Sequence, residues 1–338
     1  MGGVKKKPYI ICLGDLHFGK LAHIIPGFTA RQLKTMRAVL KKELALGATD
    51  CILLGDVFDV PEPAQALIVD ILSVIAEFDI TFHVIVGNHD YLSTDTHAFT
   101  LFDFLAKSSK GRLRVYLKPT LVKINGFTYF MCPHPYHDPV PKRALLGFGH
   151  FPWTGAKRDT NSVETHGKTP AGKWILGDFH GHQTGERFTY AGSFTKLGFE
   201  ESLQEKGYLR LRGEKWEFVA IPKEFMRYDL QQVAIDKDIH FKNVPKSPDV
   251  FVRAVFVGGY RPPPGWQAKY PNIVRRAYTG RRKINKSVLT SASFQFDVSL
   301  TDALRAYLKD KEELPPKSVE RAMKIAKQFM SKGDKADA

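Results

Sequence analysis

Apolar residues in the first third of the chain form three short runs, each followed by a glycine and a polar cluster. The runs are Tyr9–Leu13, Cys51–Leu54 and Phe82–Val86. Short apolar runs that end at glycine are typical of buried strands. We therefore predict three buried strands that deliver polar side chains to an edge of a sheet.

The segments between these runs carry apolar residues at helical spacing. In the first segment the stripe consists of Leu33, Met36, Leu40 and Leu44. Thr29, followed three residues later by Gln32, has the spacing of a capping box, and a second helix is predicted near Pro63 and a third over His97–Lys107. Alternating strands and helices predict a parallel sheet, whose polar site residues gather at the carboxyl ends of the strands.

After residue 110 the pattern changes to short strands. Asn125-Gly126 separates two apolar runs and predicts a β-hairpin. Two later runs end at Gly149-His150 and at Gly177-Asp178. Further strands are predicted at Arg187–Ala191, Gly207–Leu211 and Trp216–Ile221. We expect this first domain to span residues 1–226.

The rest of the chain predicts two smaller units. Short β-type runs and the Pro262–Gly265 turn favour a small α+β domain over residues 227–298. Residues 299–338 contain two amphipathic helical stripes separated by Pro315-Pro316, so this segment either docks a partner or packs on its own domain. No apolar run reaches the roughly 18–20 residues of a membrane span. The three cysteines lack metal-type spacing and are predicted to be reduced core residues of a cytoplasmic protein.

Potential metal ligands follow five of the predicted strands. A Gly-Asp turn or a single histidine is weak evidence for a metal site by itself. The combination of five motifs is much stronger evidence: Asp-x-His, Gly-Asp-x-x-Asp, Gly-Asn-His-Asp, Gly-His and a second Asp-x-His. The candidate ligands are Asp15, His17, Asp56, Asn88, His150, Asp178 and His180.

The residue types in this set indicate a two-metal phosphoesterase site. Carboxylates with imidazoles suit divalent ions, and we expect two Mn²⁺ ions, with Mg²⁺, Fe²⁺ or Zn²⁺ as alternatives. Two ions about 3.5–4 Å apart activate water and neutralise phosphoryl oxygens. Without them, Asp15, Asp56 and Asp178 would repel one another, so a metal-free site should be strained or partly protonated.

These five motifs resemble those of the calcineurin-like metallophosphoesterase superfamily. Gly55–Asp59, Tyr190–Ser193, Glu200 and Lys206–Tyr208 further resemble the SbcD-type DNA repair exonuclease subunit, over residues 9 to about 221. The resemblance implies an α/β fold, a four-layer α/β/β/α sandwich with a small α+β capping domain and C-terminal helices.

The resemblance also implies a role for each motif residue. One ion would be held by Asp15, His17 and His180, the other by Asn88, His150 and Asp178, with Asp56 bridging them. His89 would be the catalytic histidine that helps the leaving oxygen depart, and Asp59 would orient it.

The fifth motif departs from the family pattern. Relatives usually have Gly-His-x-His there, whereas this chain has Asp178 in place of the first histidine. Asp178 can still ligate, and its added negative charge should favour a harder ion such as Mn²⁺. His182 is an alternative ligand, and both His182 and His134 are candidates for substrate contact.

The formal net charge of +15 changes the expected partner. No acidic residue occurs between Val250 and Phe296, where basic and aromatic residues are interleaved. Such a stretch suits a nucleic-acid backbone and exposed bases, although a solvated basic face is the plainer alternative. The candidate DNA-binding residues are Arg261, Lys269, Arg275, Arg276, Arg281, Arg282 and Lys283.

These observations lead to three hypotheses. The first is a two-metal DNA nuclease; the resemblance implies 3′-to-5′ exonuclease action on duplexes, endonuclease action on single strands, a homodimer and an SbcC-type coiled-coil ATPase partner in DNA repair or recombination. It would work in the cytoplasm, or in the host cytoplasm if a phage encodes it. The second is a phosphodiesterase or phosphatase for small molecules or phosphoproteins, which the same ligands would serve. The third is a non-catalytic scaffold, which the complete set of ligand residues disfavours.

Overall fold

The computed structural model describes residues 7–93, 97–99, 111–158, 162–238 and 241–278, and these belong to one compact unit. The helices are α1 (Phe28–Leu46), α2 (Gln65–Glu77) and a short α3 (Trp266–Lys269). In chain order the strands are β1 (Tyr9–Leu13), β2 (Ala48–Leu53), β3 (Thr81–Ile85), β4 (Leu113–Tyr116), β5 (Thr120–Ile124), β6 (Phe127–Cys132), β7 (Gly147–His150), β8 (Trp174–Gly177), β9 (Gln183–Thr184), β10 (Phe188–Tyr190), β11 (Gly207–Arg212), β12 (Lys215–Ala220), β13 (Asp229–Ile235), β14 (Val250–Phe256) and β15 (Ile273–Tyr278).

The first sheet confirms the predicted strand–helix alternation. Its order is β12-β11-β1-β2-β3-β4, with β1 to β4 parallel and β11 antiparallel to β1. The apolar stripes of α1 and α2, including Leu33, Met36, Ile71 and Val74, pack into the core on one face of this sheet. Parallel β1, β2 and β3 therefore end on the same edge.

The predicted N-cap of the first helix, Thr29, is wrong by two residues, and no side chain caps the observed start. Gly27, in the left-handed region at φ 70°, precedes Phe28, and this φ suits glycine because it has no Cβ. The side chain of Gln32 is buried and donates to the backbone oxygen of Leu16 at 3.0 Å. The side chain of Gln32 therefore belongs to the core, and Thr29 and Gln32 do not form a capping box.

The other two helix predictions have different outcomes. The second helix begins at Gln65, two residues after Pro63. Of the segment His97–Lys107, only residues 97–99 are described, and His97 there forms an isolated bridge with Tyr91. The remainder of that predicted helix lies outside the described residues.

The second sheet packs face to face against the first. Its order is β5-β6-β7-β8-β10-β9, and the Asn125-Gly126 turn joins β5 and β6 as predicted, with positive φ at both residues. Alternate residues such as Tyr129 and Ile175 fill the core between the sheets. The outer face is covered by aromatic side chains of the following loops, among them Phe151 and Trp153. In the described residues this loop layer stands where a fourth, helical layer was expected.

A third, three-stranded parallel sheet has the order β13-β14-β15. One face packs against Trp266 of α3, and the other carries Phe251 into a cluster with Phe28 of α1 and with Tyr228. This sheet occupies the region of the predicted capping domain, whose boundary at residue 227 stays a prediction. Arg281, Arg282, Lys283 and the predicted helices of residues 299–338 lie outside the described residues.

Two further sequence expectations concern single residue types and helices. Cys12, Cys51 and Cys132 are unpaired and buried, as predicted. No helix in the described part of the chain is long and apolar enough to cross a membrane.

Candidate metal centre

The loops after the central strands converge at one edge of the two sheets. The backbone N–H of His17 donates to Asp56 O at 2.8 Å, and that of Phe18 donates to Val57 O at 2.9 Å, so the loops after β1 and β2 run side by side. Asp15, His17, Asp56 and Asp178 all have left-handed φ, between 42° and 103°. Such backbone conformations are costly for residues with a Cβ and cluster at functional sites.

Gly87 explains why the third motif begins with glycine. A Cβ at this position would lie 2.1 Å from Oδ1 of Asp56 and 2.2 Å from its backbone nitrogen. Only glycine permits this approach, which brings the β3 loop onto the β2 loop. The backbone N–H of His89 then donates to Oδ1 of Asp56 at 2.8 Å.

Asp56 lies between two histidines. Its Oδ2 is 3.3 Å from Nε2 of His17, and its Oδ1 is 3.3 Å from Nε2 of His150. Nδ1 of His150 donates to the backbone oxygen of Leu54 at 2.7 Å, which fixes the proton on Nδ1 and directs Nε2 into the site. Oδ1 of Asn88 lies 2.9 Å from the same Nε2. Adjacent ligand atoms on an octahedral ion with bonds of about 2.1 Å are about 3 Å apart, so these spacings fit a shared ion.

A second cluster contains Asp15, His17 and His180. Their potential ligand atoms lie within 4.8 Å of one another, as do those of Asp15, Asp56 and His150. Within the described residues, Oδ2 of Asp15 is buried without a hydrogen-bond partner, and Nε2 of His17 is buried with only the 3.3 Å contact to Asp56, which does not have hydrogen-bond geometry. A buried polar atom left unpaired costs about 1–3 kcal/mol, and a divalent ion would compensate for both. The buried Asp and His clusters fit a binuclear centre.

The electrostatics agree with the expectation of a partly protonated metal-free site. Burial raises the pKa of Asp15, and burial with the nearby charges of Asp15 and Asp56 raises that of Asp178 to about 6. Burial also opposes the ionisation of Asp56, but His150 and His17 hold its pKa well below its usual range. Burial would lower the pKa of His17, yet Asp56 and Asp59 raise it to about 9.

His89 stands exposed beside this cluster. Its ring centroid is 4.6 Å from that of His17, and its Nδ1 donates to the backbone oxygen of Asp59 at 3.0 Å. The carboxylate of Asp59, which was expected to orient His89, instead lies 3.1 Å from Nδ1 of His17. Asp59 therefore contacts both rings, through its backbone to His89 and through its side chain to His17.

Glu201 is a residue of the site that the sequence did not reveal. The resemblance to the SbcD-type subunit includes Glu200, which is exposed. Its neighbour Glu201 is buried in a 3-10 turn over Phe199–Glu201. Oε1 of Glu201 accepts a hydrogen bond from Nδ1 of His180 at 2.8 Å, and Oε2 lies 2.9 Å from Nζ of the buried Lys206. Burial opposes its ionisation, but His180 and Lys206 lower its pKa to about 2.

Asp90 organises the loops rather than entering the clusters. Its carboxylate accepts backbone hydrogen bonds from Gly87 at 3.0 Å, Phe58 at 2.8 Å and Val57 at 3.2 Å. It thereby ties the β2 loop to the β3 loop.

The two candidate substrate-contact histidines have different surroundings. His134 follows β6, packs edge-on to Tyr91 with centroids 5.3 Å apart, and lines a small cavity of about 180 Å³ with Val86. His182 stacks on Phe218 with centroids 4.2 Å apart, and its Nδ1 donates to Tyr190 O at 2.8 Å. Among the described residues, the acid–histidine clusters do not include His182.

Four of the candidate DNA-binding residues are described, and all four are exposed on the third sheet or beside it. Arg261 lies in the proline turn, Lys269 ends α3, and Arg275 and Arg276 lie on β15. The structure therefore keeps these cations available to solvent, while Arg281, Arg282 and Lys283 are outside its described part.

Comparison with known proteins identifies a family and a distant viral relative. The sequence profile of the calcineurin-like phosphoesterases matches residues 8–186. Exonuclease subunit 1 of Enterobacteria phage T4 is 26% identical over 244 residues, which cover 66% of this chain and 65% of that protein. This chain thus spans less than two-thirds of the length of that relative.

Two solved structures share weaker likeness. A hypothetical protein from Pyrococcus horikoshii OT3 has a TM-score of 0.35 and 12% identity, over 71% of this chain and 95% of that chain. A protein of unknown function from Aquifex aeolicus has a TM-score of 0.24 and 17% identity, over 40% and 66%. At these TM-scores neither structure supports an inference about this chain.

Proposed function

This chain belongs to the calcineurin-like phosphoesterase family, and we propose that it is a two-metal DNA nuclease. The observation that carries the chemistry is the position of Asp56, whose two carboxylate oxygens each lie 3.3 Å from a different histidine, His17 and His150. A carboxylate placed in this way can bridge two ions. The family membership establishes a metal-dependent hydrolase of phosphoester bonds, and the choice of DNA as substrate is the further step.

The first proposed ligand set is the cluster of Asp15, His17 and His180, and the second adds Asn88 and Asp178 to His150 and Asp56 of the other cluster. One ion would be held by Asp15, His17 and His180, the other by Asn88, His150 and Asp178, with Asp56 shared. The bound pair, for which we propose Mn²⁺, would supply an activated water and neutralise phosphoryl oxygens. The carboxylate of Asp178 is an oxygen donor, which hard ions prefer.

Protein groups would orient the substrate and help the leaving oxygen. The backbone carbonyl of Asp59 accepts from Nδ1 of His89, so Nε2 is the nitrogen left to face a phosphate outside the metal cluster. Protonated there, His89 would stabilise the phosphoryl charge and protonate the departing 3′ oxygen. Asp56 holds the backbone of the same residue at 2.8 Å, which restricts the position of the ring.

Two features support DNA over a small phosphoester. The phage relative is by name an exonuclease subunit. Arg261, Lys269, Arg275 and Arg276 are exposed cations on the third sheet or beside it, and a small substrate does not need them. From the family likeness we further propose 3′-to-5′ exonuclease action on duplexes, endonuclease action on single strands and a homodimer. We also propose an SbcC-type ATPase partner in DNA repair or recombination, and the word "subunit" in the name of the relative supports a partner of some kind.

The test compares substrates and removes charge. With Mn²⁺ present, the kcat/KM of wild type should be much higher for end-labelled duplex DNA than for p-nitrophenyl phosphate. The variant Arg275→Gln/Arg276→Gln should bind duplex more weakly and reduce the slope of log K against log salt by about 2, one for each lost phosphate contact. Hydrolysis of the small ester should be unchanged in this variant. Unchanged DNA cleavage and unchanged salt slope would instead favour a phosphodiesterase or phosphatase with another substrate.

A further inference from the structure

The third sheet carries a groove that lies apart from the metal clusters and shares no lining residue with them. It encloses about 630 Å³ beside the proline turn of residues 262–264. Its lining includes the side chains of Phe256, Tyr260, Arg261, Trp266, Arg276 and Tyr278. Its size falls within the range of about 300–1,000 Å³ that small-ligand sites occupy.

The floor of this groove is aromatic and rigid. Phe256 is buried, and Trp266 packs edge-on to it with ring centroids 5.4 Å apart. Tyr278 stacks on Phe256 at 5.0 Å and 23° but remains 59% exposed. An exposed ring held flat by a buried one offers a stacking surface at little entropic cost.

The rim of the groove is cationic. Arg261 and Arg276 line it, and among the described residues no acidic side chain does so. Arg276 and Tyr278 are two positions apart on β15, so they face the same side of the sheet, whereas Arg275 faces the other side. Stacking rings with guanidinium groups and no carboxylate form a surface complementary to a nucleobase and its phosphates.

We propose that this groove binds an unpaired nucleotide of a DNA strand, with the base on Tyr278 and the flanking phosphates near Arg261 and Arg276. This inference rests on the proposed nuclease function and deepens it, because it assigns one face of the third sheet to the binding of single-stranded substrate. It also gives the two neighbouring arginines different roles, because Arg276 lines the groove and Arg275 does not.

The direct test is binding of a fluorescein-labelled oligothymidylate of about 12 nucleotides, measured by anisotropy with the full chain in EDTA so that no cleavage occurs. Tyr278→Ala should bind roughly 5- to 150-fold more weakly than wild type, the range for losing one stacked base. Tyr278→Phe keeps the ring and should bind like wild type. This pair separates loss of stacking from loss of folding.

The two neighbouring arginines supply a matched comparison. Arg276→Gln and Arg275→Gln remove the same charge from opposite faces, so the effect of Arg275→Gln measures general electrostatic attraction. Arg276→Gln should weaken oligothymidylate binding more than this. Equal effects of the two arginine changes, or wild-type affinity in Tyr278→Ala, would overturn the proposal. Failure of wild type to bind oligothymidylate, as when another part of the chain fills the groove, would also overturn it.

The experiments distinguish failure of this proposal from failure of the nuclease proposal. If wild type binds the oligonucleotide through Tyr278 but cleaves no DNA with Mn²⁺, the groove stands and the nuclease function fails. If wild type cleaves duplex DNA and Tyr278→Ala binds oligothymidylate normally, the nuclease function stands and the groove proposal is wrong.

Discussion

Replacing Glu201 by Gln should weaken metal binding without touching any proposed ligand. Glu201 accepts the Nδ1 proton of His180 at 2.8 Å, and its second oxygen is 2.9 Å from Nζ of Lys206. The carboxylate therefore fixes the ring of His180 and leaves Nε2 as the nitrogen that can bind a metal ion, and its negative charge makes that nitrogen a better ligand. Loss of such a supporting carboxylate typically costs 10- to 100-fold in metal affinity.

The same substitution has a second cost, in folding. Removal of one member of a buried ion pair costs about 3–5 kcal/mol. Lys206 retains hydrogen bonds to His180 O, Ser193 Oγ and Gln204 Oε1, so we expect the lower end, about 3 kcal/mol. The variant should therefore fold and still reveal its metal affinity.

The assay is calorimetric titration of the metal-free protein with Mn²⁺, accompanied by denaturant unfolding. Glu201→Gln should lose 10- to 100-fold affinity at one of two sites and leave the other close to wild type. The matched control is Glu200→Gln, because Glu200 is the exposed neighbour in the same turn and should change neither quantity. Wild-type affinity at both sites in a folded Glu201→Gln would refute the argument that Glu201 positions His180.

Two further predictions concern the acids of the site. The pKa of His17 is raised to about 9 and that of Asp178 to about 6 in the metal-free protein, so an ion must displace one proton below pH 9 and a second below pH 6. Mn²⁺ affinity should therefore fall about tenfold more per pH unit below pH 6 than above it, and Asp178→Asn should remove this added steepness. Equal affinity at about pH 5 and pH 7 would contradict it. Asp90→Asn leaves one acceptor oxygen for three backbone N–H groups. The free energy of unfolding, measured in urea, should fall by about 1–3 kcal/mol for each N–H group that loses its acceptor. An unchanged free energy of unfolding would show that the loops do not need the carboxylate.

Much of the site follows from the order of residues along the chain. Parallel strands bring their ends to one edge, and Asp15, Asp56 and Asn88 directly follow such strands, so their convergence needs only the strand–helix alternation. The sequence shows a glycine directly after the third apolar run, at position 87. Its reason, contact with Asp56, required the three-dimensional structure.

The remaining contacts depend on directions that local sequence does not encode. Glu200 and Glu201 are adjacent and chemically identical, and only the packing of the 3-10 turn decides that the second is buried against His180. Asp59 serves His17 through its carboxylate and His89 through its backbone, and spacing cannot separate these two roles. Thr29 had a favourable capping pattern, but tertiary contacts placed Gln32 in the core.

The central claim is tested most directly by Mn²⁺-dependent digestion of end-labelled linear duplex DNA with wild type and His89→Asn, with metal content measured on both proteins. Wild type should release the label and bind two ions per chain. The variant should also bind two ions but cleave about 10²- to 10⁴-fold more slowly, the usual contribution of a general acid. Equal cleavage by the two proteins, or fewer than two ions per chain at saturation, would contradict a two-metal nuclease in which His89 assists the leaving oxygen.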